Sequence, residues 1–224
     1  MKILIVYAHP EPQSMNGTMF SSAVNALTNA GHEVKVSDLY AMRFNPVSDR
    51  TNFTTVNNPT FFKQQAEEVY ASQMNGFADF IEDEQQKVEW CDLMIWQFPL
   101  WWFSVPAILK GWVDRVFTMG RFYKNGRIYE NGIFRGKRAL LSLTTGGPEA
   151  NYIKERYGTL ETILHPLQRG ILEFTGFSVL QPHVIYGTEK QSTEKLALEA
   201  EAWKARLKDI FNEEPIMAIN IEQG

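Results

Sequence analysis

Three short segments of this 224-residue chain carry side chains suited to holding a flat, phosphorylated ligand. The first is His9-Pro10-Glu11-Pro12-Gln13-Ser14-Met15-Asn16-Gly17-Thr18. It leads into a helical stretch, where free backbone N–H groups and the helix dipole favour an anion. Ser14, Asn16 and Thr18 add donors there without adding charge. The plainer use of Ser14 or Asn16 is to cap the helix. The second segment is Phe98-Pro99-Leu100-Trp101-Trp102-Phe103-Ser104-Val105-Pro106. Its aromatic faces could sandwich a heterocycle, and exposed N–H groups in the loop could meet ring heteroatoms. Core packing or a dimer interface would use the same residues. The third, Thr144-Thr145-Gly146-Gly147-Pro148, pairs hydroxyls with glycines that allow close backbone approach, or is a simple strand-end turn. Together they describe a slot for a flat ring with a phosphorylated tail. No G-x-G-x-x-G and no Walker lysine occurs, which disfavours the usual dinucleotide fold and the nucleotide triphosphatases.

The elements that must position these loops can be read from periodicity. Ile3 to Ala8 is a β-branched apolar run, as expected of a strand buried on both faces of a parallel sheet. A helix is predicted from about Gly17 to Asn29, stopped at Gly31, and a second strand over Glu33 to Asp38. Residues 43–58 form a long Asn-, Pro- and Ser-rich loop, a length that hints at function. A helical, acidic stretch covers about Phe62 to Glu89, with a break expected near Asn75-Gly76. Asp92 to Gln97 is the third strand, followed by a helix from Val105 to Phe117 with Pro106 in its first turn. Lys137 to Leu143 is the fourth strand, and one helix is predicted over Leu160 to Thr175. A fifth strand runs from Ser178 to about Tyr186, and a last helix from Thr193 to Phe211. Alternating strands and helices call for an α/β, flavodoxin-like, five-stranded parallel doubly wound sheet with helices on both faces. Residues 1–224 read as one domain, with the structure of the tail from Glu213 left open. In such sheets ligands bind outside the carboxyl ends of the strands, where the three loops lie.

Composition narrows the function classes. The net charge is -4, with 22 basic and 26 acidic residues and no extended basic stripe, so nucleic acid is not an expected partner. The lone Cys91 excludes an internal disulfide and supplies too few ligands for a zinc site. The apolar N-terminus is too short to span a bilayer, no integral membrane segment is readable, and a cytoplasmic location is expected.

The residues also carry a family likeness over almost the whole chain. Leu4-Ile5-Val6 with Ala8-His9, Ser37-Asp38-Leu39-Tyr40-Ala41-Met42, Phe44-Asn45-Pro46, Gln97-Phe98-Pro99-Leu100, Trp102-Phe103, Val105 to Trp112, Thr144-Thr145-Gly146-Gly147, Gly170-Ile171-Leu172 and Gly176-Phe177 are its runs. In these the chain resembles the NAD(P)H:quinone oxidoreductase family, the mammalian quinone reductases and their bacterial relatives. The resemblance implies a tightly bound FAD (FMN is less expected), NAD(P)H as co-substrate and an obligate homodimer with sites at the interface. It further implies ping-pong, two-electron hydride transfer to a quinone. By the same likeness His9, Asn16 and Thr18, with Ser14 beside them, contact the phosphate and ribose side of the cofactor. Pro99, Leu100, Trp101, Trp102 and Phe103 line its ring, with Thr144, Thr145, Gly146 and Gly147 at the polar edge. Tyr152 donates to the reduced ring. Trp102 and Phe103, with Tyr123, Asn125 and Phe174, form the substrate pocket, Tyr123 and Phe174 covering the substrate from the partner subunit.

Departures from the family pattern bear on catalysis. Its catalytic histidine is missing from Tyr152-Ile153-Lys154-Glu155-Arg156-Tyr157-Gly158; Tyr157 takes that position, and Arg156 is a second candidate for charge stabilisation. A phenol titrates at about 10 against about 6.5 for imidazole, so hydrogen bonding rather than proton uptake near neutrality is expected. Trp101 stands where glutamine is usual and Asn125 where a tyrosine is usual, which reshapes the acceptor pocket. Arg169, Glu173 and Met217 replace the ligands of a structural metal found in some members, so no metal is expected. The insert from Phe53 to Glu89 matches the layout that helps hold the adenine half of FAD. Azo or nitro reduction, a regulatory subunit of a membrane transport system and a one-electron carrier are the competing readings.

Overall fold

The computed structural model describes residues 1–153 and 158–216. A parallel sheet forms its centre: β1 (Lys2–Tyr7), β2 (Glu33–Asp38), β3 (Leu93–Pro99), β4 (Arg138–Thr144) and β5 (Ser178–Val179), in the order β2-β1-β3-β4-β5. The register pairs Tyr7 with Gln97 and Gln97 with Ser142, so the ends of β1, β3 and β4 stand side by side. β1, β3 and β4 are buried nearly throughout because helices cover both faces. The helices are α1 (Met15–Asn29), α2 (Gln64–Met74), α3 (Asp79–Trp90), α4 (Ala107–Val116), α5 (Leu160–Leu167) and α6 (Thr193–Asp209). One core packs Trp96, Trp112, Phe117, Phe122, Phe134 and Phe177 on one side of the sheet. The other packs Ile3, Ile5, Met19 and Trp203 beneath α1 and α6.

Three sequence expectations change in detail. The single fifth strand is two pieces: β5 and β6 (His183–Ile185) both pair with β4, interrupted at Leu180-Gln181-Pro182. Proline has no N–H to donate to a ladder, which accounts for the gap. The single helix over 160–175 is α5 followed by a π-helical stretch, Gln168–Glu173, with Pro166 inside α5. Pro166 withdraws one helical N–H, and the wider turn brings Phe174 N–H to the Arg169 carbonyl at 3.2 Å. Pro106 is the residue capping α4 rather than a residue within its first turn. The helical insert is broken where expected, with Asn75 left-handed at φ 51° closing α2.

The long loop at 43–58 is ordered by two buried charges. Arg115, fully buried on α4, donates to Asn52 Oδ1 (2.6 Å), the Asn45 carbonyl (2.6 Å) and Thr51 Oγ1 (3.2 Å). Glu67 on α2 accepts the N–H groups of Asn57 (2.6 Å) and Asn58 (3.0 Å). Those bonds satisfy backbone that would otherwise be unpaired. Cys91 is fully buried after α3, and burial pushes its thiol up to about 12. Among the described residues no helix is long and apolar enough to cross a membrane.

Candidate active site

The loop after β1 is a compact turn. The Ser14 hydroxyl donates to the Glu11 carbonyl (2.7 Å) and accepts the Gly17 N–H (3.1 Å), capping α1. Glu11 N–H donates to His9 Nδ1 at 3.0 Å, and Ser14 Oγ lies 3.0 Å from the same nitrogen. With Nδ1 accepting, the ring proton is assigned to Nε2. Glycine is required at position 17, where a Cβ would fall 1.9 Å from the Pro12 carbonyl oxygen. Thr18 is exposed at the head of a groove of about 1000 Å³ between α1 and α6, which also takes in Asn25, Asn29, Lys204 and Lys208.

After β3 the chain makes a tight two-residue turn. Trp101 and Ser104 exchange both N–H···O bonds at 3.0 Å. The two residues between them, Trp102 and Phe103, sit at φ 51° and 58°. Positive φ at both central positions is the backbone of a type I′ turn, normally Asn-Gly. A bulky aromatic there costs about 1–3 kcal/mol. The turn also displays rather than buries its rings: Trp101, Trp102 and Phe103 are 42%, 95% and 46% exposed. The His9 ring lies 6.0 Å from that of Trp101, which brings the first loop against the second.

After β4, Leu100 N–H donates to the Thr144 carbonyl (2.8 Å), joining the second loop to the third. The Thr145 hydroxyl donates to the Gly147 carbonyl (2.7 Å). A Cβ at Gly147 would stand 3.4 Å from the Tyr152 hydroxyl, whereas at Gly146 it would meet nothing within 4 Å. Tyr152 is partly exposed, its ring 5.8 Å from that of Tyr186. His9, Ser14, Pro99 to Phe103, Thr144 to Gly147 and Tyr152 are thus brought to one edge of the sheet.

The family pattern described as flavodoxin-like fold matches residues 1–207. Human ribosyldihydronicotinamide dehydrogenase [quinone] is 46% identical over 217 residues, covering 96% of this chain and 94% of that protein. Guinea pig (Cavia porcellus) NAD(P)H dehydrogenase [quinone] 1 is 44% identical, covering 96% and 79%. The chain belongs to the quinone-reductase family of flavodoxin-like proteins. A candidate quinone reductase from Klebsiella pneumoniae, at 40% identity, superposes with a TM-score of 0.90 over 96% of this chain and 87% of that one. The azoreductase AzrA, at 20% identity and a TM-score of 0.64, shares the fold.

Quinone-reductase membership implies a flavin cofactor, and the residues present fit one. The loop edge offers exposed aromatic faces, the cap of α1 for an anion, open space beside Gly146, and Gly147 where a Cβ would crowd Asn151 and Tyr152. The Asn16 side chain is engaged within the protein. It is 3% exposed, with both ends of its amide bonded inside the protein: it accepts from Gln97 Nε2 and donates to Thr144 Oγ1, each at 2.8 Å. Arg156 and Tyr157 lie outside the described residues. At the positions matching the family's metal, Arg169 pairs with Glu173 at 2.9 Å, and Met217 lies outside the described residues.

Tyr123 and Phe174 come together elsewhere. Their rings meet edge-on at 5.4 Å, and Gln65 Nε2 donates to the Tyr123 hydroxyl at 3.3 Å. They line a separate cavity of about 520 Å³ that none of the three loops enters. Asn125 is exposed in the turn beyond Tyr123. Sequence reasoning missed Glu68 in this cavity. Its carboxylate accepts Met119 N–H (2.7 Å) and Gln64 Nε2 (3.0 Å), and burial pushes it above the usual carboxylate range. Sequence reasoning also missed Gln97, whose signal was a lone amide in an otherwise apolar strand.

Proposed function

We propose that this chain is a two-electron oxidoreductase carrying reducing equivalents from a dihydronicotinamide such as NAD(P)H to a quinone, with FAD as its cofactor. The Trp101–Ser104 turn carries the reading. It holds two large rings in a strained backbone, exposed, beside the polar edge of Thr144 to Gly147. Strain of this kind persists where it serves a site. The bound flavin supplies hydride acceptance and donation.

The chain's residues do the rest. His9 and Ser14 orient the first loop, and the α1 N-terminus would hold the phosphate. Trp101, Trp102 and Phe103 would shield one side of the ring from water. The Tyr152 hydroxyl would donate to charge at the ring's polar edge, with Tyr157 or Arg156 the candidate to replace the family's histidine; such a donor is worth about 2.7–4 kcal/mol where water is excluded. The groove between α1 and α6 favours FAD over FMN. It starts at Thr18 and brings Lys208, and Lys204 paired with Glu201 at 2.7 Å, to a run of neutral amides and hydroxyls, a surface that could take an adenosine diphosphate half. In a homodimer, Tyr123 and Phe174 of a second copy would cover the acceptor. That arrangement accounts for their distance from the flavin loops within one chain.

Stopped-flow mixing of the purified yellow protein with NADH, NADPH and ribosyldihydronicotinamide, then with benzoquinone, tests this function. Fast bleaching followed by direct reoxidation is expected, and the three donors are ranked in one experiment. A protein that stays yellow with all three donors removes the enzyme reading. Release of FMN alone on denaturation removes FAD, and a monomer by light scattering removes the second copy.

A further inference from the structure

One line of buried neutral side chains runs beneath all three loops. Gln97 on β3 donates from Nε2 to Asn16 Oδ1 at the head of α1 (2.8 Å). Asn16 donates from Nδ2 to Thr144 Oγ1 at the end of β4 (2.8 Å). All three are 5% exposed or less. The amides are assigned one direction by the hydrogen-bond network. Each amide donates toward Thr144, whose hydroxyl is thereby an acceptor within the line and keeps its own hydrogen to donate elsewhere. The fold satisfies only half of the Gln97 amide: Nε2 reaches Asn16 Oδ1 and, at 3.6 Å, Met19 Sδ. Gln97 Oε1 is buried with no partner among the described residues, in a strand otherwise apolar from Leu93 to Pro99. An unpaired buried carbonyl destabilises.

We propose that Gln97 is a positioning residue for the flavin: by fixing Asn16 in one orientation, it presents the Thr144 hydroxyl to the cofactor loops as a hydrogen-bond donor. The inference rests on the reading that these loops hold flavin. It adds to that reading a residue that touches neither cofactor nor substrate.

Gln97→Met tests it. Methionine is close in shape and removes one unpaired carbonyl, Gln97 Oε1, while leaving another, Asn16 Oδ1. The apoprotein's denaturation midpoint should therefore stay near that of the wild type, while its dissociation constant for FAD rises at least tenfold. Gln97→Glu is the second variant. A carboxylate only accepts, so Asn16 must turn its amide and Thr144 must donate back into the line. The bound flavin's midpoint potential should then shift, and the shift should vary with pH. A folded Gln97→Met protein with wild-type FAD affinity overturns the proposal, as does a Gln97→Glu protein with a wild-type potential. A loss of FAD affinity that merely follows a loss of apoprotein stability overturns it too, because Gln97 is then structural. Wild-type apoprotein that binds neither FAD nor FMN overturns the flavin reading itself. Wild-type binding beside an unaffected Gln97→Met leaves that reading standing and removes only this inference.

Discussion

Two aromatic regions of the molecule look alike in the sequence and behave as opposites in the structure. Trp96, Trp112, Phe117 and Phe122 interlock edge-to-face at 5.3–6.3 Å beneath the sheet, at most 8% exposed, and Trp112 Nε1 donates to Glu84 at 2.8 Å. Trp102 stands in solvent, with Trp101 and Phe103 about half exposed beside it, on a turn that places Trp102 and Phe103 in left-handed backbone. The first group gains area burial and ring–ring contact, with no residue of it at positive φ. The second forgoes burial and adds strain. Aromatic content alone does not separate core from site; backbone conformation together with exposure does.

The largest effect that sharpens this contrast is Trp112→Ala. Loss of its buried area, plus the donor it gives Glu84, should cost about 3–5 kcal/mol in denaturant melts while the flavin spectrum of the folded fraction is unchanged. A cost under about 1 kcal/mol would break the contrast. His183 gives the next effect, stacked on Trp203 at 4.4 Å. Burial lowers its pKa to about 4 from 6.5. The folded state thus favours the neutral ring, and this stabilisation is complete above pH 6.5. It is lost as pH falls from 6.5 toward 4, up to about 3 kcal/mol. Melting temperature against pH should fall less steeply for His183→Phe than for wild type over that window; parallel curves would show the ring is not buried neutral. The turn should respond with the opposite sign. Trp102→Gly should raise apoprotein stability by about 1 kcal/mol by relieving positive φ, yet weaken flavin at least tenfold. A glycine variant that loses stability would mean the rings pack in solution. Smallest is Arg169→Ala. It removes the partly exposed pair to Glu173 and the stack over Tyr129 at 4.1 Å, and should move the melt by less than about 1 kcal/mol.

The alternation of strands and helices was legible because apolar runs such as Leu4-Ile5-Val6 can be buried on both faces only in a parallel sheet, and that placed the three loops at one edge. The conformation within the loops was not legible. Trp-Phe is nobody's choice for a type I′ turn, so no local propensity announces it. Pro182 marked the gap between β5 and β6, but the two flanks read as one run because both face the same neighbour strand. The π-helical stretch has no sequence period of its own. The meeting of Tyr123 and Phe174, 51 positions apart, depends on tertiary packing and entered the sequence reading only through family likeness. Gln97 was visible as a letter, but its meaning depends on Asn16 and Thr144, distant in sequence and joined only by folding.

The buried thiol takes on a different significance once the proposed acceptors are considered as reagents. Quinones are electrophiles that thiolates attack by conjugate addition, so a quinone-handling protein works in contact with compounds able to arylate it. The chain has a single sulfhydryl, Cys91, with no exposure and a pKa of about 12. Very little of it is thiolate at neutral pH, and nothing in solution reaches it. The protein therefore offers its own acceptors no available thiolate, a form of chemical durability set by where one residue falls after α3.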